Sequence, residues 1–197
     1  HGGGITAAAA TFGGRPEDWL DLSTGINPCP VALPDIPARA WHRLPDRHLL
    51  DEARRAARDH YRSGEILPLP VPGTQSVIQL LPRLVEADRL VGGTDNSVAV
   101  TDNRVAVTDN RVAVVSPTYG EYARAFASAG FAVDAVDDIA AIGAGHRLAV
   151  VVNPNNPDGL IWPAETLIAL HDRMKAADGL LVVDEAFGDT DPALSLA

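Results

Sequence analysis

Three short, valine-rich apolar runs most constrain the fold of this chain. Within none of them do apolar and polar residues alternate, which is typical of strands buried on both faces of a sheet. The runs span residues 112–115, 148–152 and 180–183.

Helical patterns separate these runs, at residues 121–129 and 164–177, and a further short strand is predicted at 131–133. Strands and helices that alternate at this spacing predict an α/β fold, a mostly parallel sheet sandwiched by helices.

The N-terminal part of the chain has a different character. Residues 1–45 are rich in Gly and Pro and show little periodicity, so we predict an extended arm with short turns. Helical periodicity begins at residues 47–62 and returns at about 75–87. The predicted organisation is therefore an arm, residues 1–45, followed by an incomplete domain, residues 46–197.

A seven-residue repeat interrupts this pattern. Residues 94–100 read TDNSVAV, and residues 101–107 and 108–114 both read TDNRVAV. A solenoid normally has longer units, and a coiled coil needs a different apolar spacing. We interpret residues 94–107 as a local duplication inserted at the surface, and we expect the third copy to supply the strand.

Composition narrows the classes of partner. The formal net charge is -10, which disfavours binding to nucleic acid or to anionic membranes. No apolar stretch approaches the ~18 residues of a membrane span, and no signal segment or metal site is predicted. The single cysteine, Cys29, fits a reducing compartment, so a cytoplasmic location is expected. The chain starts with His1 rather than Met, so we expect it to begin inside a longer gene product.

Polar and aromatic side chains follow each of the three runs. The segments are 116–120 (SPTYG), 153–159 (NPNNPDG) and 184–187 (DEAF). Ligands bind beyond the carboxyl ends of strands in parallel sheets. Each segment alone is a weak signal, because Asn-Pro is usually a turn and a lone Asp is often a helix cap. Together they predict one crevice with an aromatic ring, an amide and a carboxylate.

A fourth element precedes them, where Pro72-Gly73-Thr74-Gln75-Ser76 opens a helix. Free amides at a helix N-terminus suit a phosphate, and Gly73 allows close approach of its backbone. The alternative is ordinary N-capping by Thr74.

In this order, the four elements resemble the cofactor site of the class I/II aminotransferase superfamily, the fold-type I pyridoxal-phosphate enzymes. The resemblance implies pyridoxal 5'-phosphate as cofactor. It places Gly73, Thr74 and Gln75 at the phosphate and Tyr119 against the pyridine ring. It also places Asn156 at the phenolic oxygen of the ring and Asp184, as a catalytic residue, at the ring nitrogen.

The N-terminus is similar to that of threonine-phosphate decarboxylases of cobalamin biosynthesis, through His1-Gly2-Gly3 and residues 23–28 (STGINP). That resemblance places His1 and Asn27 at the substrate phosphate and Gly25 and Ile26 near its carboxylate. A flexible terminus and a simple Asn-Pro turn remain alternatives. The resemblance to threonine-phosphate decarboxylases implies decarboxylation of L-threonine O-3-phosphate to (R)-1-aminopropan-2-ol phosphate by a homodimer.

Several departures leave alternatives open. Leu44 and Phe187 stand where related aminotransferases carry tyrosines, and Asp158 replaces a usual threonine. The Schiff-base lysine of the family is expected beyond Ala197, so Lys175 is interpreted as a solvated side chain. Histidinol-phosphate aminotransferase activity and a non-catalytic truncated product remain alternatives. An esterase or a dinucleotide-binding domain would need G-x-S-x-G or G-x-G-x-x-G, and the sequence has neither.

Overall fold

The computed structural model describes residues 2–27, 29–92 and 110–197. It divides into two compact units, His1–Asp46 and Arg47–Ala197. The predicted boundary after residue 45 lies one residue away from this division.

The first unit contains two short α-helices, α1 (Ile5–Phe12) and α2 (Ala38–His42), and a 3-10 turn at Pro16–Asp18. Our prediction of an extended arm therefore needs correction in these segments. Four consecutive alanines form the middle of α1, and alanine has the highest helix propensity. The Gly and Pro content of the whole segment concealed this local run.

The described residues of the second unit form four parallel strands, in the spatial order β2-β1-β3-β4. They are β1 (Arg111–Val115), β2 (Ala132–Val136), β3 (Leu148–Val152) and β4 (Leu180–Asp184). The predicted α/β class and parallel sheet are confirmed.

In the part of this unit that the structure describes there are four α-helices: α3 (Arg47–Tyr61), α4 (Thr74–Gly92), α5 (Glu121–Ser128) and α6 (Ala164–Ala176). α4 runs five residues further than predicted, through a segment whose Leu90 and Arg89 are good helix formers. The other helices match their predicted spans to within one residue at each end.

Helices cover both faces of the sheet. Val112 and Val114 of β1 pack in one apolar cluster with residues of α4 and α5. Ala113 and Val115, on the opposite face, pack in a second cluster with residues of α6. Successive side chains of a strand point to opposite faces, so this apolar strand feeds two cores at once.

Position in the sheet decides how far each strand is buried. β1 and β3 lie in the middle, and β3 is buried along its whole length, as predicted. β4 lies at the edge of the sheet within the described residues, and it is only partly buried. The prediction that the 180–183 run is buried on both faces was wrong for this reason.

The third copy of the repeat supplies β1, since Arg111–Val115 begins within residues 108–114. The proposed insertion, residues 94–107, lies outside the described residues. Among the helices that the structure describes, none has the length and apolarity needed to span a bilayer.

Candidate functional site

The carboxyl ends of β1, β3 and β4 lie at the same edge of the sheet, because the strands are parallel. The three predicted segments therefore leave the sheet side by side. A backbone hydrogen bond of 2.8 Å, from Asn153 N to Asp184 O, joins two of them directly. The edge thus brings Tyr119, Asn156 and Asp184 to neighbouring loops.

The N-terminus of α4 reaches this edge through Gln75. The hydroxyl of Tyr119 donates a 3.3 Å hydrogen bond to Oε1 of Gln75, and Nε2 of Gln75 donates to Glu121 Oε2 at 3.2 Å. Gln75 therefore holds the Tyr119 side chain close to the first turn of α4. Tyr119 stays 38% exposed, so much of its side chain remains open to a ligand.

Gly73 precedes α4 with φ +84°, a conformation that side chains of L-residues rarely adopt. A Cβ placed there would meet nothing within 4 Å, so the space over its backbone is open. Thr74 begins the helix and does not cap it. Ser76 Oγ donates to Gly73 O at 2.7 Å, so that hydroxyl proton is already engaged.

These features make the start of α4 a suitable anion site. The first N–H groups of a helix lack carbonyl partners within it, and the helix dipole favours negative charge there. The N–H of Gly73 already donates to Val71 O at 2.8 Å, and that of Ser76 to Gly73 O at 3.1 Å. The backbone N–H groups of Thr74 and Gln75 have no acceptor among the described residues, and both residues are exposed, so a phosphate could approach these two amides.

Asp184 is held at both carboxylate oxygens. The hydroxyl of Tyr122 donates to Oδ2 at 2.6 Å, and the backbone N–H of Ala186 donates to Oδ1 at 2.9 Å. Tyr122 is a buried residue of α5, only 2% exposed. Burial, and then its hydrogen bond to Asp184, raise the pKa of Tyr122 well above its ordinary value, so the phenol stays protonated.

The loop after β3 contains two neighbouring asparagines with different surroundings. Asn155 is buried and accepts a 2.7 Å hydrogen bond from Thr118 Oγ1. Its Nδ2 donates to Pro117 O at 2.8 Å and to Asp158 Oδ1 at 2.7 Å. Asn155 therefore latches the loop after β3 to the loop after β1.

Asn156 is exposed, and its side chain has no hydrogen-bond partner among the described residues. The loop that carries Asn156 is joined to its neighbour by the hydrogen bonds of Asn155. The Asn156 amide therefore has a fixed support and is available to a ligand. The role that the family resemblance implies for Asn156, a hydrogen bond to the phenolic oxygen of the ring, stays a prediction.

Asp158, which stands where the resemblance leads one to expect a threonine, has a structural role that the sequence did not predict. Its carboxylate accepts hydrogen bonds from Leu160 N at 3.0 Å and from Asn155. The backbone N–H of Leu160, and then the Asn155 amide, hold the pKa of Asp158 below its ordinary value of 3.8. The ionised carboxylate thus helps to set the conformation of the asparagine loop.

The predicted substrate-binding residues belong to the first unit. Gly25, Ile26 and Asn27 are exposed, and Asn27 Oδ1 accepts a 2.9 Å hydrogen bond from Cys29 N. That bond forms an Asx turn, which agrees with the simpler interpretation of this segment. Their role at a substrate stays a prediction, and His1 lies outside the described residues.

Lys175 is an exposed residue at the end of α6. Phe187 is partly buried just beyond β4. In the described part of the chain, no group of three metal-ligating side chains could hold a metal ion.

Sequence reasoning missed Tyr122, Glu121 and Asn155. Tyr122 follows Tyr119 by three residues, and that spacing places both near the first turn of α5. This spacing could have identified Tyr122 as a candidate, although its partner Asp184 lies 62 residues away.

Comparison with known proteins bears on this arrangement. The family model for aminotransferase class I and II matches residues 17–193. Three curated relatives are named threonine-phosphate decarboxylase. The one from Sinorhizobium sp is 60% identical over 197 residues, which are 100% of this chain and 53% of the relative. The one from Pseudomonas aeruginosa is 40% identical over 199 residues, or 100% of this chain and 52% of the relative.

The third, from Salmonella typhimurium, is 26% identical over 213 residues, which are 98% of this chain and 51% of the relative. The chain thus spans about half the length of the curated relatives that it matches. A solved histidinol-phosphate aminotransferase from Sinorhizobium meliloti, in complex with pyridoxal-5'-phosphate, is 24% identical with a TM-score of 0.46. That match covers 63% of this chain and 31% of the solved one.

Proposed function

We propose that this chain forms part of a pyridoxal-phosphate-dependent decarboxylase. The proposal starts from the family: the chain belongs to the aminotransferase class I and II family. The full-length protein would convert L-threonine O-3-phosphate into (R)-1-aminopropan-2-ol phosphate, a step of cobalamin biosynthesis. The observation that carries this proposal is the set of three loops gathered with the start of α4 at one edge of the sheet. The 60% identity to a threonine-phosphate decarboxylase over the whole chain supports this choice of reaction.

The residues at this edge fit the cofactor group by group. Open backbone at Gly73 and the amides of the first turn of α4 suit the phosphate. The partly exposed Tyr119 ring suits the flat face of a pyridine. Asn156, an amide without a protein partner, suits the phenolic oxygen, and the doubly held carboxylate of Asp184 suits the ring nitrogen.

When bound, pyridoxal phosphate accepts the electron pair of the bond that breaks at the substrate carbon. Asp184 would keep the ring nitrogen protonated, and Tyr119 would hold the ring in one plane. Gln75 would limit the movement of Tyr119 through the 3.3 Å hydrogen bond to its hydroxyl. In the overall reaction the substrate carboxylate leaves as carbon dioxide, and a proton takes its place on carbon.

The substrate would be a small phosphorylated amino acid. By the family resemblance, His1 and Asn27 would bind its phosphate, and Gly25 and Ile26 would lie near its carboxylate. The chain has a net charge of -10, and its overall electric field repels such an anion. Binding of the anion would therefore depend on hydrogen-bond donors within the site.

The full-length protein is proposed to be a homodimer. α3 has an apolar stripe, yet its Leu49, Leu50 and Tyr61 side chains are about half exposed. An apolar helix face of this kind often covers a subunit interface. Light scattering of the full-length protein should give twice the monomer mass, and a monomer at micromolar concentration would contradict the proposal.

The test of the activity uses the full-length protein that contains this chain. With pyridoxal phosphate and L-threonine O-3-phosphate, it should release one carbon dioxide for each aminopropanol phosphate formed. A parallel assay with histidinol phosphate and 2-oxoglutarate would detect an aminotransferase. Amino transfer without release of carbon dioxide would overturn the decarboxylase assignment, and failure to bind the cofactor would overturn the site.

A further inference from the structure

We propose that Tyr122 is a positioning residue for the cofactor: its hydroxyl fixes the Asp184 carboxylate in the orientation that meets the ring nitrogen of pyridoxal phosphate. This inference rests on the proposed function. It adds a residue outside the set that binds the cofactor, and this residue acts only through Asp184.

The first support is the rigidity of the Tyr122 side chain. It is 2% exposed and packs in the apolar cluster that contains Phe126, Ile78 and Val150. Interiors are close-packed, so the ring cannot swing without opening this cluster. Its hydroxyl is therefore a fixed point, 2.6 Å from Asp184 Oδ2.

The second support is the direction of the hydrogen bond. Because burial keeps the phenol protonated, Tyr122 donates and Asp184 accepts. Tyr122 uses one oxygen of the carboxylate, and the Ala186 N–H uses the other. A carboxylate can accept about four hydrogen bonds, so each oxygen keeps capacity for a further donor. A protonated ring nitrogen is such a donor.

The third support is the arrangement of the two tyrosines. Tyr119 lies just before α5 and is bound to Gln75 of α4, whereas Tyr122 lies in the first turn of α5 and is bound to Asp184 of β4. One short segment thus places both the candidate stacking ring and the orientation of the carboxylate. A small shift of α5 would displace both together.

The alternative is that Tyr122 only satisfies a core hydrogen bond and stabilises the fold. A purely structural residue would affect every ligand of the site in the same way. A positioning residue affects only ligands that engage Asp184. The two roles separate when the ring nitrogen of the ligand is removed.

The experiment compares two ligands in the full-length protein. One is pyridoxal phosphate, and the other is its 1-deaza analogue, in which a C–H group replaces the ring nitrogen. Tyr122→Phe should weaken binding of pyridoxal phosphate about tenfold, the effect of losing one hydrogen bond to a charged group. It should change binding of the analogue less than about twofold.

The matched control is Ser128→Ala, because Ser128 is exposed at the end of the same helix, α5, and its hydroxyl has no hydrogen-bond partner among the described residues. It should leave both affinities unchanged. Equal weakening of both ligands by Tyr122→Phe, or no weakening of either, would overturn the inference. If the wild-type protein bound neither ligand, the proposed function itself would fail.

A second substitution guards against loss of folding in Tyr122→Phe. Tyr122→4-aminophenylalanine keeps the ring shape and leaves a weaker donor at the same place. For this variant, the affinity for pyridoxal phosphate divided by the affinity for the 1-deaza analogue should lie between the ratio of the wild type and the ratio of the phenylalanine variant. A ratio as low as that of the phenylalanine variant, although a donor has been kept at this place, would overturn the inference.

Discussion

At the residue scale, Asp184 is organised before any ligand arrives. The Tyr122 hydroxyl and the Ala186 N–H hold its two oxygens, so its carboxylate has few orientations to lose on binding. Preorganised groups of this kind contribute more to catalysis than mobile ones, because nothing must reorganise during the reaction.

The first prediction concerns this carboxylate. Asp184→Ala in the full-length protein should lower the rate of carbon dioxide release from L-threonine O-3-phosphate by roughly 100-fold or more, the scale of a lost electrostatic stabiliser. The cause is loss of the partner of the ring nitrogen. Lys175→Ala, an exposed change on α6, serves as the control and should stay within about twofold. A near-normal rate in the Asp184 variant would refute the assignment.

The second prediction concerns Asp158 and pH. Its folded pKa lies below the ordinary 3.8, so its contribution to stability is complete above that value. The contribution is lost as pH falls through the lower folded pKa. Asp158→Asn should therefore lower the melting temperature at pH 7, and the difference should shrink as pH falls below about 4.

The control for Asp158 is Asp172→Asn, an exposed carboxylate on α6. Melting curves of both variants between pH 2.5 and 7 make the comparison, so that the range extends well below 3.8. A difference for Asp158→Asn that grows in acid would show that this carboxylate does not stabilise the loop.

At the element scale, side-chain hydrogen bonds join the loop after β1 to the loop after β3. Asn155, buried between them, binds Thr118 and Pro117 of the loop after β1 and Asp158 of its own loop. The two strands that these loops follow, β1 and β3, are paired by backbone hydrogen bonds. The side-chain hydrogen bonds of Asn155 therefore join loops whose starting points are already fixed. Tyr119 and Asn156 extend from this joined pair of loops.

The third prediction concerns the repeat that precedes β1. Deleting residues 94–107 keeps the third copy, residues 108–114, which supplies β1. The repeat pattern is interpreted as a surface insertion, and added length of that kind costs little free energy of folding, so its removal should cost little as well. The far-UV circular dichroism of the full-length protein should be unchanged, and its melting temperature should shift by a few degrees at most.

A scrambled version of residues 94–107 with the same length and composition is the control for this deletion. Loss of the folded spectrum in the deletion variant, with the scrambled variant intact, would show that the length of the segment is needed.

At the scale of the whole molecule, the 197-residue chain has one lysine, Lys175. It lies at the end of α6, before β4, whereas Asp184 ends that strand. A rise of about 3.3 Å per residue separates Leu180 from Asp184 by roughly 13 Å, so Lys175 starts at the far edge of the sheet. In the proposed reaction, a lysine amine would hold the cofactor and carry protons to and from the substrate carbon.

The fourth prediction is therefore that the purified 197-residue chain does not catalyse the proposed reaction. With pyridoxal phosphate and L-threonine O-3-phosphate, release of carbon dioxide should match the rate of free cofactor. The full-length protein at equal concentration is the positive control. Release well above the free-cofactor rate would mean that the amine comes from a residue not identified above.

The sequence by itself determined the strands and helices of the second unit and the order of its loops, whereas it did not reveal α1 and α2 of the first unit. Each of these depends on local pattern: valine runs specify β1 and β3, and helical periodicity specifies α5 and α6. Parallel pairing then requires the strand ends to share one edge, so the placement of Tyr119, Asn156 and Asp184 on neighbouring loops could be predicted. Their roles at the cofactor stay predictions.

The tertiary structure alone decided how these side chains are held. The bond from Tyr122 to Asp184 spans 62 residues, and that from Thr118 to Asn155 spans 37. No local pattern encodes such pairs, because they depend on how α5 packs over the sheet and on the register of β1 with β3. The same is true of β4, whose apolar run indicated a central strand. Its partial exposure follows from its place at the edge of the sheet that the described residues form, which is a property of the sheet and not of the strand.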